Sequence, residues 1–382
     1  MVIWFSLIIP IISVLVMYFA FKREIAWWEY ILPVIITAIF IVGVKAMGEF
    51  SMTKTTEYWG GYVTQATYYE PWDEEVPCRH PIYRTETYDC GTSKSPATCS
   101  RQVYVGNKHA YDVDDHGPEW TLDENNGFTL NVSEEKYVQI VATFGNKHFV
   151  DMHRNYHSYD GDAYVTNYPN IYKAVIPVTT THLYSNRVKC SSSVFNYRSV
   201  EDKDQAGLYD YMENGYFDTP SVFPRGVAGS DDVDKINALL GKKKQVRVMM
   251  LVYIDQDREI AQRQEAYWKN GNMNELVICV GVDKSSNIKW AEVFSWTKSE
   301  ELKISLRDYL QSQKKLDIHA FAPYLHKQVD SLWVRRDFKE FDYLQVDQPL
   351  WAIITAYVLA ILISAGCTFF AISNDSRMED VI

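Results

Sequence analysis

The densest group of chemistry-bearing side chains lies at residues 151–162, where Asp151 precedes His153, His157, Asp160 and Asp162. If the first part of this stretch is helical, His153 and His157 stand one turn apart on one face, as metal-binding pairs do. Asp160 or Asp162 on the following turn would complete a two-histidine, one-carboxylate set. Such a set leaves a divalent metal one open position for a water that can attack a substrate. No glutamate adjoins His153, so the stretch does not match the H-E-x-x-H protease motif. The plainer reading is that Asp160-Gly161-Asp162 is a turn and that both imidazoles hydrogen-bond to backbone.

The six cysteines offer a second chemistry. Cys78, Cys90, Cys99 and Cys190 fall in the polar middle of the chain. An even set of four in a domain facing an oxidising compartment suggests two disulfides, with three pairings open. The alternative is a zinc site from Cys78, His80, Cys90 and Cys99, although only Cys78 and His80 are closely spaced. Cys279 and Cys367 sit in apolar runs and read as small hydrophobic residues. A four-residue echo joins Gly106-Asn107-Lys108-His109 to Gly145-Asn146-Lys147-His148, each followed by an aspartate at the same offset, and is too short to define a repeat. There is no phosphate-cradling glycine loop, no G-x-S-x-G elbow and no kinase signature.

These residues must be positioned by a chain whose ends are apolar. A bilayer core of roughly 30 Å needs about 20 apolar residues of helix. Residues 2–21, 31–47 and 350–372 meet that demand, with Lys45 as the one charge. Trp4, Tyr18, Trp27, Trp28, Tyr30, Trp351 and Tyr357 flank the runs as an interfacial belt. Three core helices of a soluble protein would rarely be so free of charge. The first run lacks the basic flank and cleavage site of a signal peptide. Mean hydropathy over the whole chain is slightly negative, unlike that of a polytopic transporter, and charges suited to an ion path are missing from the spans. Lys22 and Arg23 predict that the turn at 22–29 is cytoplasmic and that the large domain lies across the membrane. Arg335, Arg336 and Lys339, next to the third span, count against that orientation.

The expected fold is therefore an α+β membrane protein: a helical hairpin (1–47), a mainly β exposed domain (48–225), a small α/β domain (226–340), a third transmembrane helix (349–372) and a tail (373–382). Short runs rich in tyrosine, threonine and valine at 62–69, 101–105, 163–168 and 172–178 suit strands, separated by turns at 91–97, 114–118, 123–127 and 160–162. Ser133 is placed to cap a helix, with Gly145 at its far end. Beyond residue 226 the predicted order is a short helix, a buried strand at 246–254, a helix near 258–268, strands at 275–282 and 288–296, and two helices, one starting after Ser299 and one over 318–336.

The strand at 246–254, the helix ending at 268–271 and the strand at 274–282 distantly resemble the TPM fold, seen in membrane-anchored or secreted domains, some with acid phosphatase activity. Asn272 and Asn274 stand near the turn where such domains carry acidic ligands, so the phosphatase chemistry does not transfer. More broadly, GNKHFVDMHRNYHSYDGDAYV (145–165), QEAYWKNGNMNELVICVGVD (264–283) and EVFSWTKSEELKISLRDYLQSQKKLDI (292–318) resemble an uncharacterised family of three-span membrane proteins of tailed bacteriophages and prophages. That resemblance implies a setting, a membrane during infection, and no known activity; with the turn at 22–29 cytoplasmic, the expected location is the bacterial inner membrane with the large domain periplasmic. The net charge of −11 disfavours nucleic acid. The expected function is a non-enzymatic envelope protein that binds another envelope or phage protein, or modifies the host membrane surface. The alternative is a tethered metal-dependent hydrolase using His153, His157 and Asp160 or Asp162.

Overall fold

A computed structural model describes residues 2–21, 27–92, 95–142, 146–169, 175–191, 206–211, 215–218 and 220–373. Lys22, Arg23, Gly145, residues 172–174 and the tail beyond Ser373 lie outside them. A 3-10 segment, Val2–Leu7, leads into α1 (Ile8–Phe21), and α2 (Trp27–Thr53) runs back antiparallel to it. Both are long and apolar enough to cross a bilayer, and their large side chains, such as Ile12, Val16, Ile39 and Phe40, face outward where lipid would lie.

No linker separates membrane from body, because α2 ends at Thr53 and β1 (Lys54–Tyr69) starts at the next residue. After β1 the chain makes a long excursion through β2 (Trp72–Pro77), β3 (Pro81–Asp89), β4 (Thr98–Asn107) and β5 (Tyr111–His116). It returns in β6 (Glu119–Glu124) and β7 (Thr129–Asn131), then α3 (Glu134–Val141), β8 (Asn146–Val150), β9 (Ala163–Asn167) and β10 (Pro177–Ser185). The first half of β1 pairs with β10, and the second half is flanked by β6 and β9 in the order β7-β6-β1-β9-β8. Val63, Ala66, Leu122 and Val178 form the core under α3, whose Ser133 cap accepts from the Lys136 amide as the sequence predicts. A short α4 (Arg187–Cys190) closes the root, with Asn186 donating its amide to the Thr53 carbonyl.

The α/β unit begins earlier than residue 226. β11 (Val222–Phe223) is parallel to β12 (Arg247–Ile254), so the sheet recruits chain from the segment expected to be β domain. Between them runs α5 (Ser230–Lys244); α6 (Glu259–Tyr267), β13 (Glu275–Val282), β14 (Ile288–Ser295), α7 (Glu300–Ser312) and α8 (Ile318–Leu332) follow in the expected order. The sheet order is β11-β12-β13-β14, with the last strand antiparallel. Strands β12 and β13 are apolar on both faces because both are covered. One face packs on α5, α7 and α8 through Val248, Met250, Ile278, Leu306 and Phe321, and the other on α6, Leu208 and Tyr209.

β1 docks onto this unit as well. A Cβ on Gly60 would fall 2.2 Å from the Asn237 carbonyl oxygen, and one on Gly241 would fall 2.1 Å from that of Gly60, so the strand backbone lies directly on α5. Beside this contact Glu57, 2% exposed, receives Arg335 at 2.6 Å and the Trp59 indole at 2.8 Å. Asn272 and Asn274 donate to the β1 carbonyls of Thr56 and Tyr58. They are thus spent on joining the two parts of the body. Finally α9 (Leu350–Ser373) leaves the body as the third apolar helix, packing Ala352 and Ala356 against Ile41 and Val44 of α2.

Two outcomes follow from the joint and the β core. Glu57→Ala strands the Arg335 guanidinium in a buried site and should cost about 3–5 kcal/mol in unfolding experiments on the detergent-solubilised chain. The double replacement Glu57→Leu with Arg335→Met should cost clearly less; equal losses would show that the charge pairing is irrelevant. At Glu124, burial pushes the carboxyl up to about 7, with Tyr216 and Lys242 offsetting only part of this. The folded state then holds a proton that the unfolded chain releases near pH 4.5, so stability is greatest below that value and declines as pH rises through about 7. Glu124→Gln should remove that slope and gain about 1–3 kcal/mol above pH 7 after allowance for screening; an unchanged pH profile would refute it.

Candidate functional site on the β-ribbon

β2 pairs with β5 and β3 with β4, each as a two-stranded antiparallel ladder. Together they form one long ribbon that leaves the distal end of β1 and is interrupted once. The two crossings of the interruption are residues 78–80 and 108–110, and its flanking residues on one strand are Pro77 and Pro81, which have no amide hydrogen to donate. The Lys108 amide bonds the His80 carbonyl across the gap at 2.9 Å. At the far tip Cys90 and Cys99 are joined as a disulfide, next to a turn closed by Thr92 and Ser95.

The cysteine expectations are corrected in part. Among the described residues there is one disulfide, and Cys78 and Cys190 are free thiols. They lie at opposite ends of the β domain: the Cys190 thiol donates to the Met52 carbonyl where β1 starts, and Cys78 lies beyond its far end. A 16-residue strand is roughly 50 Å long at about 3.3 Å per residue, far outside disulfide reach. The four-ligand set Cys78, His80, Cys90, Cys99 is excluded for the same reason, since the last two are consumed at the tip.

Cys78 and His80 instead meet His109 and Asp112 at the interruption, with one donor atom from each residue lying within 4.8 Å of the others. Cys78 Sγ is 4.0 Å from His109 Nε2, and Asp112 Oδ1 lies 3.3 Å from His80 Nδ1 and 3.2 Å from His109 Nδ1. The Arg79 amide, bonded to Oδ2 at 2.6 Å, and the two imidazoles hold the Asp112 carboxyl below its usual range. His109 and Asp112 belong to the first copy of the Gly-Asn-Lys-His echo with its trailing aspartate. That echo was the available signal, and spacing along the chain gave no reason to join it to Cys78.

Residues 151–162 are not helical. They form a bracket across the base of the ribbon. Asp73 Oδ1 accepts the amides of His157, Ser158 and Tyr159 at 3.2, 2.6 and 2.9 Å. Burial raises the Asp73 carboxyl, and these three amides outweigh that and leave it below the ordinary value. His157 turns its Nδ1 to Glu75 at 3.1 Å, and Asp162 accepts the Met152 amide at 3.0 Å. His153 shares a cluster with Asp151 and Asp160 on the open surface, and His157 is not part of it. Arg154 stacks over the rings of Tyr69 and Trp72 at 5.1 and 4.7 Å, and Trp72 stacks on His116. The bracket therefore holds the ribbon's base, with His157 and Asp162 in structural contacts and Asp73, Glu75 and Arg154 as partners that spacing along the chain did not indicate.

Beyond the interruption, β3 and β4 have no covering layer. Ile82, Tyr83, Tyr88, Tyr104 and Val105 are all about half exposed, on strands whose outer edges are unpaired among the described residues. These features define a membrane protein of α+β architecture that presents a jointed, disulfide-tipped β-ribbon. Neither a family model, nor a curated protein, nor a solved structure matches the chain.

The thiol inventory gives a direct check. Denatured, unreduced protein treated with an alkylating reagent should take up label at Cys78, Cys190, Cys279 and Cys367, with Cys90 and Cys99 labelled after reduction. Peptide mass spectrometry showing Cys78 or Cys190 protected before reduction would overturn the assignment.

Proposed function

We propose that this is a non-enzymatic, membrane-anchored envelope protein whose β-ribbon binds a partner protein. The observation that carries the reading is the uncovered ribbon itself. A lone two-stranded hairpin is marginal in water, and an exposed edge normally carries devices that discourage pairing. This one carries Pro81, a bulge after Ile82 and the charges of Arg84, Glu86 and Arg101, yet it keeps Ile82, Tyr83, Tyr88, Tyr104 and Val105 on display as well. Tyrosine supplies large contact area at low entropic cost, and unpaired edges accept an added strand, so the ribbon suits recognition by β-augmentation. Arg84, Glu86 and Arg101 satisfy each other on the ribbon, leaving the apolar rows as its main unmet demand.

The setting we propose is a bacterial inner membrane, in line with the resemblance to phage membrane proteins, with the body in the periplasm, in line with Lys22 and Arg23 in the first turn. A disulfide at an exposed tip supports an oxidising compartment. Two of the three basic residues that counted against this orientation, Arg335 and Arg336, are engaged within the body. Arg335 binds Glu57 and the Gln245 carbonyl, and Arg336 pairs with Glu340. They are therefore poor candidates for a cytoplasmic charge belt.

A photoreactive residue placed at Val105 of the full chain, expressed in a bacterial membrane, should give a discrete higher-mass adduct. The same probe at Ile254, exposed on the α/β unit, should give none. The pair Tyr83→Ser and Tyr104→Ser should abolish the Val105 adduct while leaving thermal unfolding nearly unchanged, as surface replacements do. Equal adducts at both probes, none at either, or an adduct that survives loss of both tyrosines would each refute ribbon recognition.

A further inference from the structure

We propose that Cys78, His80, His109 and Asp112 form a four-coordinate site for a zinc-class metal ion, which clamps the joint of the β-ribbon. One thiolate, two imidazoles and one carboxylate are a donor set that zinc accepts, and four protein ligands make a closed, structural site. Bonds of about 2.0–2.3 Å in a tetrahedron put neighbouring donors roughly 3.3–3.7 Å apart. One donor atom from each residue already lies within 4.8 Å of the others, so closing on an ion is a matter of side-chain rotation and needs no refolding.

The surrounding hydrogen bonds set how two of the donors stand. His109 Nδ1 lies 2.7 Å from the Tyr111 carbonyl oxygen. That oxygen can only accept, so Nδ1 carries the hydrogen and the lone pair is left on Nε2, the atom that faces the Cys78 sulfur. A ligating histidine fixed by a backbone carbonyl is the usual outer-shell device. For Asp112, the Arg79 amide occupies Oδ2 and leaves Oδ1 3.3 Å from His80 Nδ1 and 3.2 Å from the hydrogen-bearing Nδ1 of His109, so ligation through His109 Nε2 requires the carboxylate or the ring to turn. Cys78 is buried, and the two imidazoles, though more exposed, lean over it. On binding, the thiol releases its proton to solvent and the sulfur donates its electron pair to the ion.

The site's place in the chain explains what the ion would do. Cys78 and His80 belong to one crossing of the interruption, while His109 lies in the other and Asp112 just beyond it. Within the interruption the Lys108 amide and the His80 carbonyl make the one backbone bond seen between the crossings among the described residues. An ion held by two residues from each side replaces the missing ladder bonds and fixes the outer ribbon against its base.

The test uses full-length protein in detergent, stripped with a chelator and titrated with Co²⁺, then Zn²⁺. The expected result is one equivalent of Co²⁺ with the intense visible bands of tetrahedral coordination and a thiolate charge-transfer band, both abolished by Zn²⁺. Cys78→Ser should remove the charge-transfer band, and His109→Ala should weaken binding by about tenfold or more. Both variants should retain the Cys90–Cys99 disulfide, which shows that the ribbon still forms. His153→Ala, in the other cluster, should change nothing. Zn²⁺ should slow hydrogen exchange at residues 78–80 and 108–112 in the unaltered protein and not in Cys78→Ser. Absence of stoichiometric binding, a weak octahedral spectrum indifferent to Cys78→Ser, or dependence on His153 would overturn the site. Binding without slowed exchange would overturn the clamp.

Discussion

The two parts of the exposed body meet at the buried contact between Glu57 and Arg335. Placing a carboxylate at 2% exposure is costly, and burial raises its proton affinity even with a guanidinium 2.6 Å away. The pair joins parts of the chain that are far apart in sequence and that Arg187 and the packing of α2 on α9 also bring together. Glu57 is on the strand that issues from the second apolar helix, and Arg335 is on the segment that leads to the third. Trp59 donates to Glu57 and stacks on His182 of β10, while Asn272 and Asn274 reach across from β13's approach to bond the same strand. The entry and exit of the exposed body are thus fastened to one point at the membrane-proximal end of β1.

That arrangement accounts for the character of the helices. Since the body orients its own ends, the spans need only pack and stay in lipid. Ala352, Ala356 and Ala360 are spaced four residues apart and fully buried, which lets α9 approach its neighbours closely, as small residues do between membrane helices. Gly48 extends the same close contact, since a Cβ there would meet Gln348 and Ala352. Ser13 and Thr368 satisfy one another deeper in the bundle. At the surface Arg187 ties α4 to Glu49 of α2 and to the carbonyl of Leu344, so the polar groups beside the bilayer are neutralised locally.

Features encoded within one or two turns of chain were legible from the sequence alone. The three apolar runs, the Ser133 cap, a helix start at Ser299 and the order of elements after residue 230 depend on local pattern, and the structure repeats them. What escaped were arrangements decided by distant residues. The stretch around His153 has helical spacing, yet the amides of residues 157–159 are captured by a carboxylate 84 to 86 positions earlier, which a helix cannot allow. The continuity of α2 into β1 was hidden because no turn residue marks it. The cysteines misled for a related reason: an even count says nothing about distance, and β1 holds Cys78 and Cys190 apart.

The ribbon shows how these constraints converge on function. A hairpin with two open faces contributes little to its own stability, so its conformation must be imposed at its ends. At the tip a covalent bond does this, and at the base Asp73 and the cation–ring stack of Arg154 do the same. The joint between them has prolines on one side and one backbone–backbone bond between its crossings, and is held mainly by side chains: Arg79 on Asp112 and Asp114, and His80 and His109 on Asp112. Chain placed in that way keeps its exposed tyrosines in a fixed register. Because the ends supply the order, the exposed rows are not needed to hold the ribbon's shape, and their side chains are left for whatever meets the ribbon beyond the bilayer.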